Sequence, residues 1–415
     1  MDTSRHSPRL KLKKYVKISL ACFALSAASI SSASNFQNFA GINYTNPAEL
    51  SILVQDASFI LGYDYIIPEV RWNGTITVPS PLGGPSVVTT GKASNNSNFD
   101  LPYGRFAKRI NPQWVVGLDI TPPFKSVIKY SPSSNARYAT VNTSVQSTNY
   151  SPSVSYQFAG WLDKLSVGIG LDVMEVWAAL DQMYPSLTFP FGAGPDNTIR
   201  NHGSGWAYGW HAGAFYHALK GTFVGLSYFS ASTSNLQGIS SFTGFADSNQ
   251  LNARLKLPAT TSLSVTQFFS QDWFVRGQVR LTQWRRLRQV ILNGLSGPNS
   301  SGILLLNYHN TWEAELSTKY NFNSQFYLGG FLAYDQSPTN NTDRTLALPE
   351  VNRVVLAVAP GYKFNKAVSA ELHYAHVFTV KTSPLNNVSP NNGTTTVGKA
   401  KLSADAVGIQ FNYNI

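Results

Sequence analysis

The chain has 415 residues, of which 13% are charged, 43% apolar and 13% aromatic, with a formal charge of +11 and a mean hydropathy of -0.12. Ordinary soluble domains carry about 25% charged residues, and helical membrane proteins need apolar runs of about 18 residues or more, which this sequence lacks. Low charge, many aromatics and middling hydropathy together fit alternating strands in which every second residue faces lipid.

Residues 1–33 read as a signal peptide. Arg5, Arg9, Lys11, Lys13, Lys14 and Lys17 form its basic start, Ile18 to Ile30 its apolar core, and Ser31, Ser32, Ala33 and Ser34 a small-residue cleavage region. With that segment go six basic residues and one acidic, leaving 26 Lys and Arg against 20 Asp and Glu, or +6. Beyond Arg285, Arg286 and Arg288 there is no basic cluster, so nucleic acid is not an expected partner. The one cysteine, Cys22, lies in the apolar core of the signal, so the exported chain has no thiol for redox chemistry or disulfides. Residues 34–50 form a short N-terminal segment ending in Asn46-Pro47-Ala48, and residues 51–415 are left for strands.

The first strand alternates Phe59, Leu61, Tyr63, Tyr65 and Ile67 with Ser58, Ile60, Gly62, Asp64 and Ile66. Period-two alternation puts one set on each face. Polar corners then recur: Asn111-Pro112-Gln113, Asp163-Lys164, Lys220-Gly221-Thr222, Ser270-Gln271-Asp272, Asn323-Ser324-Gln325 and Asn365-Lys366. Each has an apolar or alternating segment on both sides, the signature of a tight hairpin turn. Between them lie long stretches rich in Asn, Ser, Thr, Gly and Pro, such as Arg71 to Asn98, Lys125 to Thr148 and Lys381 to Gly398, which read as loops. Short turns at one end and long loops at the other are the asymmetry of an outer-membrane barrel. Six turns join twelve strands and one more lies at each terminus, which predicts an all-β, 14-stranded antiparallel transmembrane β-barrel. Trp114, Trp273 and Phe326 open their strands directly after a turn, where an aromatic girdle belongs. The inward faces, rich in Gly, Ala, Ser, Asn and Gln, predict a crowded, largely uncharged lumen.

Pro122 and Pro123 follow Trp114, Val116, Leu118 and Ile120, and neither can donate a ladder hydrogen bond. They either start a loop or break the wall beside Thr121 to Phe124. In strand five, Met174 and Trp177 are candidate pocket residues, alongside Asp172 and Glu175. Arg276 and Arg280 share the face opposite Trp273, Val275, Val279 and Leu281 and point inward, with Glu313, Glu315 and Glu371 as inward partners. A buried charge needs such a partner, so the arginines either brace the lumen or capture a carboxylate. His373 and His376, three apart on a strand, fall on opposite faces and cannot share a metal or serve one Ser. No phosphate-binding loop or paired-carboxylate motif occurs, so no enzyme, metal or cofactor is expected.

Several segments resemble the FadL/TodX family of outer-membrane transporters. These are Asn46-Pro47-Ala48 before strand one, Gly205 to Gly213 (GWAYGWHAG) in strand six, and the ordered set Asp335-Gln336-Ser337-Pro338, Leu348-Pro349-Glu350, Arg353, Gly361-Tyr362, Phe364-Asn365-Lys366 and Tyr374-Ala375-His376. The resemblance implies a fourteen-stranded barrel, an N-terminal hatch meeting the wall at Asn46, Pro47 and Ala48, and a kinked third strand opening the wall at Thr121, Pro122, Pro123 and Phe124. It also implies passive transport of long-chain fatty acids or other hydrophobic compounds, aromatic hydrocarbons included, by a monomer among outer-membrane lipids. The hatch is shorter than the family's, which leaves either a more open lumen or one closed by external loops. A water-filled porin for small polar solutes and a surface adhesin are the alternatives.

Overall fold

The computed structural model describes residues 45–415 except Leu82 and Asn96; the signal peptide and the first part of the N-terminal segment lie outside these. Fourteen strands form the wall: β1 (Ala57–Val78), β2 (Phe99–Arg109), β3 (Trp114–Thr121), β4 (Asn142–Gln157), β5 (Leu165–Tyr184), β6 (Asn197–Leu219), β7 (Thr222–Phe229), β8 (Thr260–Phe268), β9 (Trp273–Thr282), β10 (Thr311–Asn321), β11 (Phe326–Asp335), β12 (Arg353–Lys363), β13 (Val368–Thr379) and β14 (Thr395–Asn414). Each pairs antiparallel with its sequence neighbours, and β14 closes on β1 from Ser58↔Asn414 to Thr77↔Thr395. Closure removes the free edges that a bilayer does not tolerate.

All six predicted corners join wall strands, and the start of β1 and the C-terminal Ile415 meet at that same end of the barrel, where the Asp56 and Ala57 N–H groups bond the Ile415 carbonyl. Four corners share one geometry. The residue before the turn donates its N–H to the carbonyl of the first residue of the next strand, as in Ile110 to Trp114, Phe269 to Trp273, Phe322 to Phe326 and Phe364 to Val368. In three of them an asparagine, Asn111, Asn323 or Asn365, accepts the N–H groups two and three residues on at 2.8–3.0 Å. Asparagine caps its own turn in this way, which makes these corners visible in sequence.

The outer face carries Phe59, Leu61, Trp206, Tyr208, Trp210, Leu263, Leu332, Val407 and Phe411, all exposed, as alternation requires. Two expectations are corrected. The supposed loops are largely sheet: Val87–Ser94 pairs with the outer part of β1, Lys125–Lys129 with β4, and Ser383–Val388 with β14. The lumen is not largely uncharged, because Glu49, Asp64, Arg105, Asp172, Arg276, Arg280, Glu313, Asp335, Glu350, Arg353 and Glu371 are all buried within it.

Candidate functional site

The described end of the N-terminal segment, from Thr45 onward, sits inside the barrel. Pro47–Ile52 is one short 3-10 helix, with Asn46 as its cap accepting the Ala48 N–H at 3.1 Å and Pro47 in the first turn, where its missing N–H costs nothing. The Ala48 carbonyl accepts hydroxyls from Ser51, Ser155 and Ser166 at 2.8–3.1 Å, and Asn46 Nδ2 donates to the Ala214 carbonyl at 3.2 Å. The wall is cut away beneath it. A Cβ on Gly213 would stand 1.9 Å from Asn46 Oδ1, and one on Gly168 2.5 Å from the Ala48 nitrogen. Leu50 and Leu53 pack on Ile60, Tyr103, Ala107 and Val115, and the Arg109 guanidinium donates to the Ser51 and Leu53 carbonyls. Asn46, Pro47 and Ala48 therefore lie against β4, β5 and β6 as a plug.

Glu49, fully buried, accepts from Arg276 at 3.0 Å, while Arg276 Nε reaches Thr266 at 2.9 Å. Arg280 pairs with Glu313 at 3.0 Å and Glu315 at 3.4 Å. Arg105 meets Asp119 at 3.0 Å. Asp172 accepts from Asn149 and Ser151 at 2.8 Å and faces His211 Nδ1 at 3.0 Å. Glu371 instead bonds His373, whose other ring nitrogen is 3.1 Å from Asp64. His376 lies on the outer face with Asp405. Charge is matched almost group for group, which is how buried ions become tolerable.

The wall is interrupted between β2 and β3. Their pairing ends at Gly104↔Ile120, although β2 continues back to Phe99. Beyond Thr121 the chain bends through Pro122, Pro123 and Phe124 and resumes as Lys125–Lys129, paired with β4 alone. Three residues of β3's continuation face two of β4, Ser147 and Thr148, an irregularity that turns the strand. Ser147 Oγ accepts the Phe124 N–H and donates to its carbonyl, both at 2.9 Å, replacing the lost rung with a side chain. Pro102 was missed in the sequence. Its register with β1 at Tyr63 is unbroken, so its absent N–H belongs to the edge facing β3. Three prolines thus remove donors from edges that lipid would otherwise leave unsatisfied. Farther out, Ser97 Oγ bonds the Val127 carbonyl at 2.9 Å, Lys129 N–H bonds Asn95 at 2.7 Å, and Lys125 approaches Asp100 at 3.6 Å, rejoining the two edges.

A cavity of about 170 Å³ adjoins this interruption. Thr121, Pro123, Phe124, Met174, Leu257 and Trp284 line it, with Arg280, Asp172 and His211 at its polar side. Phe124 meets the Trp284 ring edge-on at 6.4 Å. Trp177, expected in the pocket, is 58% exposed on the outer face. It is three residues from Met174, an odd number, so the two cannot share a face; Glu175 is outward for the same reason. Trp284 gave no sequence signal because it lies outside any alternating run, in the short 3-10 turn Trp284–Arg286, whereas Leu257 closes the alternating run Leu251, Ala253, Leu255, Leu257, whose parity marks an inward face but not a pocket.

Toward the long-loop end, residues 344–351 fold into the mouth and are buried. Leu348 joins the apolar cluster of Met174, Leu257 and Trp284, while Leu346 and Val351 join a second cluster around Trp72 and Tyr184. Arg344 holds this loop through the Glu350 and Pro384 carbonyls at 2.7 Å, and Arg353 binds Asp335 at 2.5 Å and Glu350 at 3.5 Å. A neighbouring loop is clamped by Asp196, which accepts from Arg137 and Tyr138 at 2.7 Å. Burial, then that carboxylate, push the Tyr138 phenol up to about 12. The loop carrying residues 344–351 is thus packed into the long-loop end of the barrel.

A closed β-barrel with an apolar exterior, a short helix packed inside it and an apolar cavity beside a wall interruption is the architecture of an outer-membrane protein. The chain belongs to the family described as outer membrane protein transport protein (OMPP1/FadL/TodX), which it matches over residues 22–415. It is 24% identical over 380 residues to a long-chain fatty acid transport protein of Escherichia coli O6:H1, covering 81% of each chain. Its fold resembles that of a Pseudomonas aeruginosa FadL homologue, with a TM-score of 0.78 at 20% identity over 89% of this chain and 93% of that one. It also resembles the Pseudomonas putida toluene transporter TodX, with a TM-score of 0.65 at 16% identity over 91% and 93% of the two chains. The protein is an outer-membrane β-barrel of Gram-negative type and a non-enzymatic member of a family that carries hydrophobic compounds.

Proposed function

We propose that the protein passively admits hydrophobic compounds from outside, holds them in the cavity lined by Phe124, Met174, Leu257 and Trp284, and releases them into the membrane through the interrupted β2/β3 seam. The observation that carries this reading is the contiguity of cavity and seam: Thr121, Pro123 and Phe124 belong to both. Burial drives binding at about 0.8 kcal/mol per CH2, with no motor required. The cavity is close to the roughly 150 Å³ of a protein cavity known to hold benzene, so a ring or a chain segment fits it. Arg280, beside it, is already neutralised by Glu313 and Glu315, which favours an uncharged or aromatic cargo over a headgroup held at this point. Long-chain fatty acids are the second reading, supported by the named function of the Escherichia coli relative. Asn46, Pro47 and Ala48 act in this scheme as the hatch, and Arg276 and Arg280 as lumenal braces.

The test is uptake of radiolabelled toluene and oleate by cells lacking other transporters of this kind, with Trp284→Ala and Met174→Lys variants alongside wild type. Saturable uptake lost in the variants supports the reading. A steady, large ohmic current in planar bilayers, with no saturable uptake, would overturn it in favour of a water-filled pore.

A further inference from the structure

Below the plug, at the short-turn end, a second cavity of about 610 Å³ is lined by Leu53, Val54, Phe268, Phe274, Lys319 and Lys363, among others. Its contents differ from those of the upper cavity. Lys319 Nζ lies 4.0 Å from the Tyr327 ring centre and Lys363 Nζ 5.7 Å from the same ring, while Lys363 donates to Asn321 Oδ1 at 3.1 Å. Among the described residues neither amine has a carboxylate within ion-pair distance. Glu371, which acts on Lys319 from farther off, is engaged by His373. Tyr327 can lie flat here because β12 carries Gly361, where any Cβ would stand 2.0 Å from its ring.

Beside the amines the surface turns apolar, with Phe274 directly across the strand register from Lys319 and Phe268 next along. Phe268 and Phe274, with centroids 5.3 Å apart, share inward parity with Arg276 and Thr266 and yet stay partly exposed, and Val54 is 87% exposed. A smaller cavity of about 170 Å³ adjoins them, lined also by the stacked rings of Phe215 and Phe223. Water-accessible phenylalanines facing a lumen, not lipid, contribute little to folding. Paired cations at one end of a slot and aromatic walls at the other are complementary to a molecule with one anionic head and one chain.

We propose that this cavity is a periplasm-facing site for a single-chain anionic amphiphile, with its carboxylate or phosphate on Lys319 and Lys363 and its chain along Phe268, Phe274 and Phe223, against the underside of the plug. The site is separate from the upper cavity and does not rest on the transport route proposed above.

The full-length folded protein in phosphatidylcholine nanodiscs is exposed to palmitate, lysophosphatidate or hexadecanol, each bearing a diazirine at the chain end, and labelled peptides are mapped. Palmitate or lysophosphatidate should label the peptides around Phe268 and Phe274, the stronger of the two identifying the head chemistry. Affinity should rise roughly fourfold per added methylene. K319Q/K363Q should lower labelling at least about tenfold, K319R/K363R should retain it, and F268A/F274A should weaken binding with both lysines in place; heat-shifted gel mobility reports folding. Equal labelling by hexadecanol, indifference to lysine loss, an arginine variant as weak as the glutamine one, or label confined to Met174 and Trp284 would each overturn the lower site. Label confined to the upper cavity would leave the transport reading standing.

Discussion

Prolines sit in the wall at two kinds of place, and the wall responds differently. At Pro360 in β12, pairing with β11 runs unbroken while pairing with β13 skips from Val358↔Tyr374 to Gly361↔Glu371 and then resumes in register. Pro152 in β4 behaves alike, continuous with β3 and interrupted only toward β5. At Pro122 and Pro123 the strand loses β2 altogether and rejoins β4 only after a bulge. Successive N–H groups on a strand point to opposite neighbours. One proline therefore weakens a single seam, whereas two in succession remove donors toward both. The strand then detaches from whichever neighbour offers no side-chain substitute, and Ser147 supplies one on β4 alone.

The strongest way to break this contrast is to return the donors. P122V/P123V should let β3 zip onto β2 and bring uptake to background while the barrel still assembles, as judged by heat-shifted mobility; unchanged uptake would sink the portal. The converse change, Ala359→Pro, makes β12 a double-proline strand and exposes carbonyls of both neighbours to lipid, at a cost of several kcal/mol; chemical unfolding in detergent should show it, and wild-type stability would refute the alternating-donor argument. Glu49→Ala leaves Arg276 buried without its carboxylate, at about 3–5 kcal/mol, so a Leu53→Cys reporter, at a position buried in the intact protein, should become reactive from the barrel interior as the plug loosens. Ser147→Ala removes both bonds to Phe124 and should cost about 1–3 kcal/mol, read as faster hydrogen exchange at residues 124–126. The smallest effect concerns the Asp196 clamp. Its Tyr138 phenol is raised to about 12, so its contribution is full below the ordinary tyrosine value of about 10 and is lost as pH rises through 12. Tyr138→Phe should abolish that alkaline loosening, measured by proteolysis of the loop.

Much of this was visible beforehand, and particular residues show why. The corners at Asn111, Asn323 and Asn365 announce themselves because each asparagine bonds its own turn. Trp177 was misplaced although its parity with Met174 already put it outside. Pro102 carried no meaning alone, since which of its neighbours lost a donor depends on the register with β1. The supposed loops read as loops because Ser, Thr and Asn dominate them, yet they pair outside the membrane, where polar residues on both faces suit a sheet in water.

The sequence by itself determined the strand number and most of the inward and outward faces, and left Pro122 and Pro123 as either the start of a loop or a break in the wall. These depend on local facts, namely period-two alternation, turn chemistry and absent N–H groups. Only the tertiary structure decided what the lumen holds. Glu49 and Arg276 are 227 residues apart and become partners because a closed ring brings every inward face to one axis, where desolvation makes matching of charge compulsory. Among the described residues, the same closure left Lys319 and Lys363 with no carboxylate within ion-pair distance beneath the plug, a difference in electrostatics that no stretch of either strand displays.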